Sequence, residues 1–234
     1  MVRLMKTIGI IGGMSWESSA EYYRLINEGI KSKLGPTHSA ELVMYSMDFH
    51  VAAQLELEER WPELATFLIG AITRLEKAGA DFVMMASNTA HKVAEVVQRS
   101  INLPLLNIAD VAAEEIVKTG ISTVGLLGTR FVMEQDFYKE RFRTQGIDVV
   151  VPDRAARDYV HNVIFNELCV GKLIPESKEA MQRIILDLQQ AGAEAVILAC
   201  TELPLLIRVE DNPVRLFDSM ALHVNKAVTL ALEE

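Results

Sequence analysis

Apolar residues in this chain alternate between short runs of strand length and stretches with helical spacing. Residues 7–11, 42–45 and 82–86 are mainly apolar, and the last run is uninterrupted. Between the second and third runs, apolar residues recur every three or four positions from Trp61 to Leu75, which predicts an amphipathic helix. Uninterrupted apolar strands are typical of parallel sheets that helices cover on both faces. The pattern therefore predicts an α/β fold.

The sequence also contains an internal repeat. Residues 7–12 (TIGIIG) resemble residues 123–128 (TVGLLG), and residues 79–87 (GADFVMMAS) resemble residues 192–200 (GAEAVILAC). The two matches occur in the same order and at nearly the same separation. They predict two pseudo-symmetric lobes, each with a parallel sheet flanked by helices.

We place the first lobe at residues 1–104 plus 213–234 and the second at residues 105–212. Ligands of parallel α/β sheets bind beyond the carboxyl ends of the strands. Ser87 and Cys200 end corresponding strands of the repeat. We therefore expect the active site in the cleft between the lobes, with Ser87 on one side and Cys200 on the other.

Charge and composition narrow the class of partner. The chain has 23 basic and 32 acidic residues, a formal net charge of -9, which argues against nucleic acid or an anionic membrane as partner. No apolar run approaches the length of a membrane span, and we find no signal peptide at the start. Two cysteines cannot form a disulfide framework. These features favour a cytoplasmic protein.

The glycines and cysteines are the first candidates for chemistry. Residues 9–13 (GIIGG) lack the spacing of a nucleotide-binding turn, so we interpret them as a tight turn whose backbone can approach a small carboxylate. Cys200 precedes polar residues at a predicted helix start, where the pKa of a thiol can be lowered; a buried structural thiol is the alternative. We interpret Cys169 as structural. His91 and Glu95 are four residues apart, but two ligands do not make a zinc site, so we expect no metal.

Three segments resemble signature segments of the aspartate/glutamate racemases. They are residues 11–18 (IGGMSWES), residues 88–91 (NTAH) and residues 199–203 (ACTEL). The resemblance implies an isomerase that racemises an amino acid without pyridoxal phosphate, metal or other cofactor. In this family, two thiols on opposite sides of the α-carbon remove and return the proton. The resemblance also implies a homodimer.

This chain departs from the family pattern at Ser87, where the first catalytic cysteine is expected. A serine hydroxyl is a poorer base than a thiol, so we expect asymmetric racemisation of aspartate, glutamate or a related amino acid. By resemblance to glutamate racemases, Cys200 is expected to act on the L-form. Lys172 is the candidate for the basic residue that holds the distal carboxylate in family members. Some members carry an arginine in the stretch 47–55, which this chain lacks, and Gln54 is the candidate to serve in its place.

The expected site residues fall into three groups. The catalytic residues are Cys200 and Ser87. The substrate-binding residues are Met14, Ser15, Gln54, Asn88, Thr89, Thr129, Lys172 and Thr201. Glu202 and His91 are expected to contact and orient these residues without touching the substrate.

Two other functions remain open from the residues. One is a decarboxylase of the arylmalonate type, which resembles this chain in keeping only the second-half cysteine. The other is a non-catalytic protein that binds a small carboxylate. Release of CO₂ from a malonate, or the absence of solvent deuterium at the α-position of the ligand, would distinguish them.

Overall fold

A computed structural model describes residues 5–208 and 212–233 of the chain. The chain divides into two compact units of similar size. The first unit ends at Ile108 and resumes at His223, and the second unit is Ala109–Leu222. The structure does not describe residues 1–4, 209–211 and 234. The predicted lobes include these residues, and the expectation about a signal peptide concerns the first four of them.

The first unit contains a four-stranded sheet in the order β2-β1-β3-β4, with every pair parallel. Its strands are β1 (Ile8–Gly12), β2 (Leu42–Ser46), β3 (Phe82–Met85) and β4 (Leu105–Leu106). Its helices are α1 (Trp16–Leu34), α2 (Phe49–Leu57), α3 (Trp61–Lys77) and α4 (Ala94–Ser100), and a 3₁₀ turn covers Thr89–Val93. Every residue of β1 and β3 is buried, as the uninterrupted apolar runs predict.

The second unit contains a sheet in the order β6-β5-β7-β8, again with parallel pairs. The strands are β5 (Thr123–Gly128), β6 (Asp148–Val150), β7 (Ala195–Ala199) and β8 (Leu216–Asp218). The helices are α5 (Ile108–Val117), α6 (Arg130–Glu134), α7 (Asp136–Arg143), α8 (Arg154–Asn166), α9 (Pro175–Gln190) and α10 (Leu203–Leu206), with a 3₁₀ turn at Leu168–Val170. The last helix, α11 (Ser219–Leu232), passes from this unit to the first.

The two sheets have the same strand order, so the internal repeat seen in the sequence corresponds to a repeated architecture. The predicted fold class, an α/β fold with two parallel sheets flanked by helices, is confirmed. Within the described residues, no helix has an apolar stretch long enough to cross a bilayer.

The observed division lies four residues after the predicted lobe boundary at 104/105 and ten residues after the one at 212/213. Strand β4 pairs with β3, which keeps residues 105–108 in the first unit. Strand β8 pairs with β7, which keeps residues up to Leu222 in the second. Each unit therefore includes the fourth strand of its own sheet, and each boundary between the units lies after that strand.

The same helix-to-strand turn is found in both units. Helix α3 packs Leu64, Leu68, Ile72 and Leu75 into the first core, and it is followed by Gly79 at φ +88°. Helix α9 packs Met181, Ile184, Ile185 and Leu188 into the second core, and it is followed by Gly192 at φ +102°. Glycine suits both turns because it adopts positive φ without steric cost.

At Gly13, the lack of space for a side chain requires glycine in addition to the backbone conformation. It has φ +86°, and a Cβ at this position would lie 2.1 Å from the Met47 carbonyl oxygen. The Met47 N–H also donates to the Gly12 carbonyl oxygen at 3.0 Å. The turn after β1 therefore has no space for a side chain, because the backbone that follows β2 occupies that space.

We predict that Gly13→Ala destabilises the protein much more than Gly79→Ala. Both glycines have nearly the same positive φ, but a Cβ at Gly79 meets nothing within 4 Å. Gly79→Ala should therefore cost only the backbone strain, about 1–2 kcal/mol. Gly13→Ala adds a collision with backbone atoms, and we expect a loss of about 3 kcal/mol or more. Urea unfolding of both variants measures the difference, and equal losses would contradict the steric account.

Candidate active site

The residues expected to carry the chemistry lie at the carboxyl ends of the two equivalent strands β3 and β7. Ser87 follows β3 after one residue, and Cys200 follows β7 directly. Each strand is an interior strand of its sheet. In parallel α/β sheets, this edge is where ligands bind.

Cys200 lies in a buried polar cluster with the two residues that follow it. Its side chain is only 5% exposed. The Sγ atom donates a hydrogen bond to Glu202 Oε2 at 3.1 Å, and the Thr201 hydroxyl donates to the same oxygen at 2.9 Å. Thr201 and Glu202 are also buried. One carboxylate oxygen therefore receives both the thiol and the hydroxyl.

This environment raises the pKa of the Cys200 thiol well above its ordinary value, chiefly because burial disfavours the charged thiolate. The negative charge of Glu202 raises the pKa further. The sequence-based expectation of a lowered pKa is therefore wrong. It relied on the polar residues and the helix start after the strand, but α10 is only four residues long and the nearest charge is a carboxylate. At neutral pH, Cys200 is a thiol that donates a proton.

Cys169, the second cysteine, is partly buried and packs against the apolar core of the second unit. Neither cysteine is in a disulfide. A negative charge on Cys169 would also raise the pKa of Cys200, but less than burial and Glu202 do. These observations fit the interpretation of Cys169 as a structural residue.

Ser87 has a different set of partners. Its hydroxyl oxygen accepts the backbone N–H of Ala90 at 3.3 Å. Among the described residues, no carboxylate or imidazole makes a hydrogen bond to this hydroxyl. The contact with the Ala90 N–H stabilises negative charge on Oγ, but it supplies no base that could remove the hydroxyl proton.

His91 holds the turn that carries Ser87. Its Nδ1 lies 2.7 Å from the Ser87 carbonyl oxygen, and its Nε2 accepts the Ile108 N–H at 3.3 Å. Because a carbonyl oxygen can only accept, Nδ1 must carry the proton. His91 therefore contacts the backbone of Ser87 and not its hydroxyl, which fits the expected supporting role.

His223 extends this network and was not singled out from the sequence. Its Nδ1 accepts the Tyr22 hydroxyl at 3.0 Å, and its Nε2 donates to the Leu106 carbonyl oxygen at 3.0 Å. Burial and the neighbouring His91 lower the pKa of His223 to about 3. His223 and His91 meet edge to face at 6.0 Å. No local motif signals this network, because Tyr22 and His223 are 201 positions apart.

The other predicted site residues lie in several environments. Asn88 and Thr89 are buried, Asn88 directly before the 3₁₀ turn and Thr89 as its first residue. Thr129 is buried and caps α6, its hydroxyl accepting the Val132 N–H at 3.4 Å. Thr129 follows Gly128, which is aligned with Ala199. Thr129 and Cys200 therefore directly follow the paired ends of the neighbouring strands β5 and β7.

The residues after β1 are largely occupied with local structure. Ser15 caps α1, its hydroxyl accepting the Ser18 N–H at 3.3 Å. Met14 is part of the apolar core of the first unit. The Gly13 N–H donates to the Ser19 hydroxyl at 2.7 Å. Ser19 therefore engages the Gly13 N–H and the Met47 backbone fills the space beside Gly13, and the approach of this turn to a carboxylate stays a prediction.

Gln54 and Lys172 do not join the buried groups. Gln54 is exposed on α2, and Lys172 is exposed in the loop after the 3₁₀ turn Leu168–Val170. The structure thus brings Asn88, Thr89 and His91 together with Ser87, and Thr201, Glu202 and Thr129 together with Cys200. In the part of the chain that the structure describes, no group of three or more His, Cys, Asp or Glu residues is arranged to hold a metal ion.

Comparison with known proteins is consistent with this arrangement. A family model described as Asp/Glu/Hydantoin racemase matches residues 11–227. The broad specificity amino-acid racemase RacX of Bacillus subtilis is 22% identical over 231 residues, which covers 96% of this chain and 98% of RacX.

Two solved structures are similar over nearly the whole chain. An aspartate racemase homologue from Pyrococcus horikoshii has a TM-score of 0.84 and 41% identity, and the match covers 98% of this chain and 100% of that one. The aspartate racemase of Picrophilus torridus has a TM-score of 0.77 and 25% identity, with 96% and 94% covered. The resemblance read from the signature segments is confirmed.

The raised pKa of Cys200 generates a prediction about its reactivity with iodoacetamide. In Cys169→Ala, where Cys200 is the remaining thiol, we expect the alkylation rate to reach half its maximum at a pH well above the value of about 8.5 of a free cysteine. The position of this midpoint reports ionisation and does not depend on how accessible the thiol is. A midpoint near or below 7 would show that Cys200 rests as a thiolate and would contradict the structure.

Proposed function

The chain belongs to the Asp/Glu/Hydantoin racemase family, and on this premise we propose that it racemises aspartate, glutamate or a related amino acid, with Cys200 as the base. One observation carries the proposal: the Cys200 thiol donates to a buried carboxylate at the end of an interior strand. Abstraction of the proton next to a carboxylate group requires a base. The Cys200 thiol becomes such a base when it loses its own proton as the substrate binds. The RacX relative is described as having broad specificity. For this reason we do not restrict the proposal to one amino-acid side chain.

The proposed first step transfers the thiol proton of Cys200 to Glu202, 3.1 Å away. The Cys200 thiolate then removes the α-proton of the substrate, and the electron pair of the C–H bond remains on the substrate as a carbanion. Glu202 is suited to this role because its carboxylate already accepts the thiol. The Thr201 hydroxyl, bonded to the same oxygen at 2.9 Å, holds the carboxylate in place.

The second step returns a proton to the opposite face of the α-carbon. We assign this step to the Ser87 hydroxyl, whose oxygen then carries the negative charge and is stabilised by the Ala90 N–H. Cys200 is a thiol again once it has taken the α-proton. After the product leaves, Glu202 releases to water the proton that it accepted, and Ser87 takes one up from water, which restores the starting state. No pyridoxal phosphate, metal or other cofactor takes part in the proposed steps.

The two directions of this reaction are unequal. Cys200 has a carboxylate to accept its proton, whereas among the described residues Ser87 has no side-chain base. Cys200 should therefore abstract efficiently, and Ser87 should do so poorly. We assign the L-enantiomer to Cys200. The equilibrium constant between mirror images remains one, so the asymmetry affects rates only.

The first test of the proposal is the loss of α-proton exchange in Cys200→Ala. We expect the variant to exchange the α-proton of L-aspartate or L-glutamate for deuterium at less than about 1% of the wild-type rate, because it lacks the base. Proton NMR in deuterated buffer measures the exchange. Cys169→Ala is the matched control and should retain nearly full activity.

A Cys200→Ala variant that folds and exchanges at the wild-type rate would contradict the assignment of the base. A wild type that exchanges no amino acid but releases CO₂ from a malonate would favour the decarboxylase alternative. Binding of a small carboxylate with neither reaction would favour the non-catalytic alternative.

The second test concerns the asymmetry at position 87. The wild type should incorporate α-deuterium from the L-enantiomer much faster than from the D-enantiomer. Ser87→Cys supplies a second thiol, and it should raise the initial rate for the D-form by about tenfold or more while changing the rate for the L-form much less. Equal initial exchange of both enantiomers by the wild type would contradict the assignment and indicate a base that acts through Ser87.

A further inference from the structure

The second unit contains a large cavity that the proposed reaction does not use. Its volume is about 610 Å³, within the range typical of small-molecule sites. The residues that line it are Arg130, Met133, Glu134, Lys139, Val151, Arg154, Arg157 and Asp158.

The cavity lies at the edge of the sheet where ligands bind. Arg130 follows β5 after one residue, and Val151 follows β6 directly. These strands are parallel to β7, which ends immediately before Cys200. The cavity is therefore at the same carboxyl edge of the second sheet as Cys200.

The lining is positive, although the chain as a whole has a net charge of -9. Four cations face two carboxylates, Glu134 and Asp158. Glu134 is engaged by Arg157 at 2.9 Å, and Asp158 lies 4.0 Å from Arg154. Both carboxylates are thus already paired with cations of the lining.

The third cation, Lys139, lies 3.4 Å from Asp136 and donates to the Glu134 carbonyl oxygen at 2.9 Å, so Arg130 is the cation of the lining that is left to consider. Among the described residues, its guanidinium forms no ion pair with a carboxylate. It is held by the protein, however: the guanidinium lies 5.8 Å from the centre of the Phe131 ring, and the backbone N–H donates to Nδ1 of His161 at 3.3 Å. Arg130 is partly buried and His161 is buried. A positioned arginine without a carboxylate partner is suited to bind an anion.

His161 supports this arrangement without adding charge. Burial, and then the charge of Arg130, lower the pKa of His161. The neutral ring can accept the Arg130 N–H, and its edge-to-face contact with Phe131 at 5.9 Å fixes the ring on which the guanidinium lies. The positive charge of the site therefore belongs to the arginines and Lys139.

We propose that this cavity binds a carboxylate group of a small organic anion, with Arg130 as its principal contact. Two sources share this chemistry: the second carboxylate of an acidic amino-acid substrate, and a separate carboxylate ligand. The inference does not depend on Cys200 being the catalytic base, because binding can be measured without turnover.

The test uses succinate, a dicarboxylate without an amino group, and isothermal titration of the full chain. We expect the wild type to bind succinate and Arg130→Gln to bind it about tenfold more weakly or worse, because a charge-assisted contact is lost. Arg183→Gln is the matched control. Arg183 is an exposed arginine on α9 of the same unit and does not line the cavity, so its loss should leave affinity unchanged.

Several results would overturn the proposal. The first is that the wild type does not bind succinate at about tens of millimolar, an order-of-magnitude limit for a specific small-anion site. The second is that the wild type, Arg130→Gln and Arg183→Gln bind succinate with equal affinity. The third is that the loss of Arg130 weakens the binding of inorganic phosphate but not of succinate. If Arg130→Gln fails to fold, Arg154→Gln replaces it. The Arg154 side chain is 88% exposed, so the fold should tolerate its loss, and succinate binding should weaken severalfold.

A competition assay then distinguishes the two sources. If succinate competes with aspartate, and Arg130→Gln raises KM for aspartate but not for alanine, the carboxylate is that of the substrate. If succinate alters the exchange rate without competing, it is a separate ligand. Absence of α-proton exchange from every amino acid would contradict the proposed function and leave the binding result standing.

Discussion

The close contact between Gly128 and Ala199 is the constraint on which the candidate site of the second unit depends. A Cβ at Gly128 would lie 2.6 Å from the Ala199 carbonyl oxygen, so only glycine permits this approach of β5 and β7. The two residues are aligned in register, and the next residues are Thr129 and Cys200. The packing of two buried strands thus fixes the level at which Thr129 and Cys200 leave the sheet.

The two units repeat an architecture but not a chemistry. The strands β3 and β7 occupy the same place in sheets of the same order. Cys200 donates to a carboxylate, whereas the Ser87 hydroxyl accepts a backbone N–H and the nearby histidines are bound to backbone carbonyls. The equivalent strands of the repeat therefore lead to a thiol bonded to a carboxylate in the second unit and to a hydroxyl bonded to a backbone N–H in the first. This difference is the physical basis for expecting unequal rates with the two enantiomers.

The sequence predicts those features that local patterns encode. The α/β fold, the repeat and the equivalence of Ser87 and Cys200 follow from apolar runs and matching segments. The direction of the Cys200 pKa shift could not be predicted, because burial and the orientation of the Glu202 carboxylate depend on packing. The Tyr22–His223 contact and the cavity around Arg130 were missed for the same reason: their residues are far apart or irregularly spaced along the chain.

The central claim is that Glu202 accepts the proton of Cys200, and Glu202→Gln tests it most directly. Removing the carboxylate charge should lower the pH midpoint of Cys200 alkylation, because that charge raises the pKa of the thiol. At the same time, α-deuterium exchange from the L-substrate at neutral pH should fall by about a hundredfold and recover partly at high pH, where hydroxide ionises the thiol. Undiminished exchange at neutral pH in Glu202→Gln would contradict the account.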